Sequence, residues 1–294
     1  MAAESAMRVE TKQEAQEPLE DGFDRAAVET ALRSRQRKKS RPAIALDTGR
    51  VIEGRARAKE RITKSIERIP SGIPGLDDET EGGFIKNSVN LVSGSPGAGK
   101  TIFAVQFLIE GMRNGESTLF ITFEETKSNV YKYMAKLGWD LERLEDEKKF
   151  FFLRYSPSQV YKLLEEGGGT IENLIKQYDV KRIAIDSITA FTLLYKDDLA
   201  IREALLSLFN LINEWNCTTI LTAEQESDPD KHRPTVIEFE VDSVILLYNF
   251  RTNQNVRQRV AEILKMRGTD FAQRIFPMRI DSEGIKFFPH EMSF

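Results

Sequence analysis

The sequence predicts an α/β fold with a central, mostly parallel sheet flanked by helices. Three observations point there. From about Ile66 onward short apolar runs alternate with helical patterns, the signature of a sheet covered on both faces by helices. A glycine-rich stretch, "GSPGAGKT" at residues 94–101, lies between one such run and an amphipathic segment. Toward the C-terminus the style changes, and residues 256–267 and 275–288 read as antiparallel strands joined by a turn containing Gly268.

Composition bounds what the chain can be. Its 294 residues are 40% hydrophobic, enough for a sizeable core. A net charge of −4 and a pI near 5.6 give no global attraction to nucleic acid or membrane, so any such binding requires a local patch. No window reaches 18 consecutive apolar residues, and Met1 is followed by mixed charges. Neither a membrane span nor a secretory signal is expected, which makes the cytoplasm the expected compartment. The single cysteine, Cys217, excludes an intramolecular disulfide and reads as a small buried residue. His232 and His290 are too few and too scattered to suggest a metal site.

Taken in order, residues 1–62 are polar and rich in Ala, Glu and Arg, and read as a flexible extension. Within it Arg33, Arg35, Arg37, Lys38, Lys39 and Arg41 form a basic cluster after a short helical stretch from Phe23. Two readings stand: a solvated tail, or a docking arm (residues 33–41) for an acidic protein partner or nucleic acid. Residues 63–294 read as one α/β domain. Its expected strands are Val89–Val92, Thr118–Phe123, Phe150–Leu153, Arg182–Ile185, Thr218–Thr222 and Val244–Tyr248. Helices are expected over Thr101–Met112 and from about Lys127. Leu205, Leu208, Ile212 and Trp215 recur at helical spacing and mark a third helix with an apolar face.

The glycine-rich stretch matches the phosphate-loop pattern through Gly94, Gly99, Lys100 and Thr101. Bare glycines in the loop of Gly94, Ser95, Pro96, Gly97, Ala98 and Gly99 let backbone N–H groups converge on phosphate oxygens. The helix starting near Lys100 adds the positive end of its dipole. Lys100 is expected to reach the β- and γ-phosphates of ATP, and Thr101 to ligate Mg²⁺. Hydrolysis also needs a carboxylate on the metal side and a group that orients water. "RIAIDS" ends an apolar run in Asp186, placed to support Mg²⁺ beside the loop. "LFITFEET" ends another in Glu124 and Glu125, at the sheet edge where ligands collect. On their own these two glutamates are better read as favouring the N-terminus of the following helix.

Together the residues resemble the KaiC-like ATPases of the RecA superfamily. The matching pieces run from about Ile66 to Phe288: "IPSGIPGLD", the pair Gly82 and Gly83, "GSPGAGKT", "ITFEET", "IAIDS" and "LKMRGTDF". The resemblance implies a RecA-like P-loop fold and hexameric rings with ATP held between neighbours. It also implies that Glu124 and Glu125 act as the catalytic base pair. It places Lys265 and Arg267 against the triphosphate of the adjacent subunit, in the manner of an arginine finger. Two features depart from the family pattern. KaiC has two tandem lobes where this chain has one, and the adjacent Ser-Thr pair of its autokinase lobe is here Glu238 and Phe239. Thr235 and Ser243 are the nearby hydroxyls. Three functions are therefore weighed: an ATPase ring whose nucleotide state switches partner binding, an ATP-gated scaffold or serine/threonine autokinase, and a RecA-like nucleic-acid-dependent ATPase. The last has no recognisable DNA-binding module in its support.

Overall fold

The computed structural model describes residues 66–156, 159, 169–226, 231–252 and 255–291. The expected extension at residues 1–62, with its basic cluster, lies outside the described residues. A two-stranded antiparallel ribbon comes first, β1 (Arg68–Ile69) and β2 (Phe84–Ile85), with a 3-10 turn at Asp77–Thr80 between them. Then follow β3 (Val89–Gly94), α1 (Lys100–Arg113), β4 (Ser117–Thr122), α2 (Lys127–Ala135), α3 (Leu141–Asp146) and β5 (Phe150–Arg154). After these come α4 (Gly169–Tyr178), β6 (Val180–Asp186), α5 (Ile188–Thr192), α6 (Asp198–Glu214), β7 (Thr218–Glu224) and α7 (Val236–Glu240). Four C-terminal strands close the order: β8 (Ser243–Arg251), β9 (Arg257–Met266), β10 (Ile275–Asp281) and β11 (Gly284–Phe287).

The main sheet runs β11-β10-β9-β8-β3-β7-β6-β4-β5. Strands β8, β3, β7, β6, β4 and β5 are parallel, and β9, β10 and β11 add to the edge at β8 in antiparallel fashion. Side chains alternate across a strand, so a strand covered on both faces is apolar at consecutive positions. Val92, Phe120, Ala184, Ile220 and Ile245 face one core, built around Phe103 and Phe107 of α1. Their neighbours Leu91, Leu119, Ile183, Leu221 and Val244 face the other, built around Leu205, Leu208 and Ile212 of α6. The apolar stripe read from the sequence is thus core, and Asp197 caps its helix by accepting a hydrogen bond from the Ala200 N–H. Cys217 is buried beside it, and burial pushes its thiol pKa up to about 12, which disfavours the thiolate.

One buried charge ties α1 to the sheet. Arg182 of β6 is fully buried; it pairs with Glu116 at 2.5 Å and donates to the Pro70 and Phe107 carbonyls at 2.7 and 3.1 Å. A side chain at Gly111 would bring its Cβ to 2.6 Å from Arg182, so glycine admits the guanidinium. Removing the carboxylate would strand a buried cation. Glu116→Ala is expected to cost about 3 kcal/mol, read as a lowered urea midpoint at unchanged slope.

The expected single strand over residues 275–288 is corrected. It is a hairpin, β10 and β11, because Asp281 accepts the Glu283 N–H and Gly284 takes φ +114°, reversing the chain. The link around Gly268 is also longer than a tight turn, spanning residues 267–274. Among the described residues no helix is long and apolar enough to cross a membrane.

Candidate nucleotide site

Parallel strands deliver their C-terminal ends to one edge, and the candidate residues gather there. β3 ends at Gly94, where a Cβ would lie 2.3 Å from the Leu247 carbonyl oxygen of β8. The loop then turns into α1 through Gly99 at φ +113°, a conformation suited to glycine. No side chain caps α1 and no acid stands in its first turn, so its leading N–H groups and dipole are open to an anion. Ser95 Oγ is buried without a hydrogen-bond partner. An orphaned hydroxyl within a glycine-lined cradle suits a ligand that supplies acceptor oxygens.

Lys100 folds back on this loop. Its Nζ donates to the Gly94 and Ser95 carbonyls at 2.9 and 3.2 Å. Burial lowers its pKa, and Asp186, Glu224 and Glu124 oppose that shift, so three carboxylates share its field. Thr101 Oγ1 donates to Asp186 Oδ2 at 2.7 Å, and Thr222 donates to the other carboxylate oxygen. Asp186 is buried and holds hydroxyl donors only, leaving lone pairs on both oxygens. A carboxylate and a hydroxyl meeting at the foot of a phosphate cradle are hard oxygen donors of the kind Mg²⁺ takes.

The two glutamates separate here. Thr122, the last residue of β4, accepts the N–H groups of both Glu124 and Glu125 at 3.3 and 3.1 Å, which shapes the bend. Ser187 Oγ donates to Glu124 Oε1 at 3.1 Å, tying that carboxylate to the residue after Asp186. Glu125 turns toward α2, with Asn129 Nδ2 at 3.5 Å. The structure thus brings Gly94 through Thr101, Asp186 and Glu124 to one edge, with Glu125 beside them.

Lys265 and Arg267 lie elsewhere. Lys265 pairs with Val244, and Val244 with Leu91, three residues before Gly94. That is about 10 Å back along the strand, toward the opposite edge of the sheet. Lys265 Nζ donates to the carbonyls of Glu238, Phe239 and Val241 at 2.9, 3.2 and 2.7 Å. Arg267, one residue past β9, donates to the Phe239 carbonyl at 3.1 Å and faces Asp242 at 3.4 Å. Both cations gather on the Phe239 carbonyl. Thr235 and Ser243 are engaged too, donating to Glu238 at 3.2 Å and to Asn90 at 2.7 Å.

Four site residues escaped the sequence reading: Thr222, Ser187, Glu224 and Arg259. Arg259 Nε donates to the Gly97 carbonyl at 3.2 Å and helps line a cavity of about 390 Å³ with Lys100, Thr101, Ile102 and Ile280. A signal existed for Thr222 and Glu224, because "TILTAE" closes an apolar run as "RIAID" does. None marked Arg259.

A parallel α/β sheet with this loop at its C-terminal edge defines a P-loop nucleotide-binding class of protein. Residues 69–292 match the family model "ATPase: KaiC", and the chain belongs to that family. It is 36% identical over 236 residues to the circadian clock protein KaiC3 of Synechocystis sp., covering 77% of this chain and 46% of that one. To the circadian clock oscillator protein KaiC of Synechococcus elongatus it is 35% identical over 234 residues, covering 77% and 45%. The chain therefore spans less than half the length of these clock proteins. A crystal structure of a KaiC-like protein from Pyrococcus horikoshii superposes with a TM-score of 0.67 at 35% identity, covering 76% of this chain and all of that one. The sheet is accordingly RecA-like, with antiparallel C-terminal strands.

Proposed function

We propose that the protein is a Mg²⁺-dependent ATPase working as a ring of identical subunits, a hexamer by family likeness, whose nucleotide state switches the binding of a partner. The observation that carries the reading is the meeting of Thr101 with Asp186 at 2.7 Å beneath the phosphate loop that holds Lys100. On binding ATP, Lys100 would leave the Gly94 and Ser95 carbonyls for the β- and γ-phosphates, while loop N–H groups cradle them. Thr101 and Asp186 would hold Mg²⁺, which when bound neutralises charge on the phosphate oxygens. Glu124, oriented by Ser187, would accept a proton from the attacking water as its oxygen bonds to the γ-phosphorus and the bridging oxygen leaves on ADP. Glu125 would assist from the same bend.

Lys265 and Arg267 would act on a neighbour's triphosphate, a role that suits their distance from their own phosphate loop. Mixing subunits tests this. Arg267→Ala subunits and subunits carrying both Glu124→Gln and Glu125→Gln are each expected to be nearly inactive. Mixed rings contain interfaces that combine an intact glutamate pair with an intact arginine, and these should restore part of the turnover. No recovery, in mixtures shown by mass measurement to co-assemble, would remove the trans role.

A further inference from the structure

Glu238 is a carboxylate with 5% exposure that the hydrolysis chemistry above leaves unused. It lies between the phosphate loop and the cations Lys265 and Arg267. One of its oxygens accepts the Thr235 N–H and hydroxyl, both at 3.2 Å, which closes the capping box of α7. The other stands 3.1 Å from His232 Nε2. The second ring nitrogen, Nδ1, lies 2.8 Å from Gln225 Nε2, which can only donate. His232 therefore accepts at Nδ1 and carries its proton at Nε2, where it donates to Glu238. Gln225 follows β7 directly, and its backbone N–H donates to the Gly94 carbonyl at 3.1 Å, the same carbonyl that takes Lys100. At the far end, the carbonyls of Glu238 and Phe239 in α7 and, just after it, the Val241 carbonyl and the Asp242 carboxylate hold Lys265 and Arg267.

We infer that Gln225, His232 and Glu238 are positioning residues for Lys265. They form a hydrogen-bonded relay from the phosphate loop of a subunit to the Lys265 amino group it presents to its neighbour. The inference rests on the ATPase reading above. When Lys100 turns to phosphate, Gly94 loses a donor, and the change reaches α7 through Gln225, His232 and Glu238. The carbonyls at the end of α7 compete with a neighbour's phosphate for Lys265, so the placement of α7 sets how readily that amino group is released.

The test is a mutant cycle on the full chain. Glu238→Gln keeps the shape and one acceptor, and His232→Ala removes the relay at a different point. Each is expected to lower kcat by between about twofold and about thirtyfold with ATP affinity unchanged. In a Lys265→Gln background neither should lower kcat further, because both act through Lys265. Should Glu238→Gln fold poorly, His232→Ala carries the same comparison. Losses that multiply with that of Lys265→Gln, an unchanged kcat, or ATP affinity that falls together with Tm would each overturn the relay. The ATPase reading fails separately: if Lys100→Ala turns over ATP at the parental rate the site is wrong. If Lys100→Ala is inactive while Lys265→Gln is fully active, the relay and the role of Lys265 across the interface are wrong and the ATPase reading stands.

Discussion

Replacing Glu124 and Glu125 together by glutamine is expected to slow ATP hydrolysis by about 100-fold or more while leaving ATP bound, the scale on which a positioned base acts. Glutamine preserves the shape of the bend, since the backbone N–H groups of both residues bond to Thr122 and not to their own side chains. Only the capacity to take a proton is lost. The single variants should differ. Glu124 is held by Ser187 at the edge where Asp186 and Lys100 lie, whereas Glu125 turns toward Asn129. Glu124→Gln alone should therefore carry most of the loss. Single-turnover hydrolysis with ATP binding measured by calorimetry checks both statements. Parental turnover in the double variant would remove the glutamates from the chemistry.

Lys100→Ala is expected to weaken ATP binding by between about tenfold and about 150-fold, because a charged donor to phosphate contributes about 1.5–3 kcal/mol. Loss of fold would not explain the result. Lys100 Nζ contacts only carbonyls of its own loop, and the helix it begins is held by buried Phe103, Ala104, Phe107 and Leu108. Circular dichroism and Tm should stay near the parent while calorimetry shows the lost affinity. Unchanged affinity would refute the assignment of the cradle.

Much of the site was legible because its parts are local. The phosphate loop and the acids at the ends of apolar runs depend on residues within a few positions of one another. The residues that were missed are joined across long stretches of chain. Ser187 meets Glu124 at a separation of 63 residues, and Arg259 meets Gly97 at a separation of 162. Neither contact leaves a periodicity or a spacing to detect. The hairpin at residues 275–288 is a different case, since "DSEG" at 281–284 is a local run of turn-forming residues between two apolar runs and was there to be read.

Periodicity and glycine placement were enough to establish a covered parallel sheet and an anion cradle, because both arise from steric preferences of neighbouring residues. Strand order was beyond their reach. Placing β3 between β8 and β7 is what sets Gly94 against Leu247 and brings Gln225 to the Gly94 carbonyl. The antiparallel return of β9 is what carries Lys265 and Arg267 away from their own phosphate loop. Those placements follow from which apolar faces pack together over the whole chain, a choice made by the two shared cores and not by any segment alone.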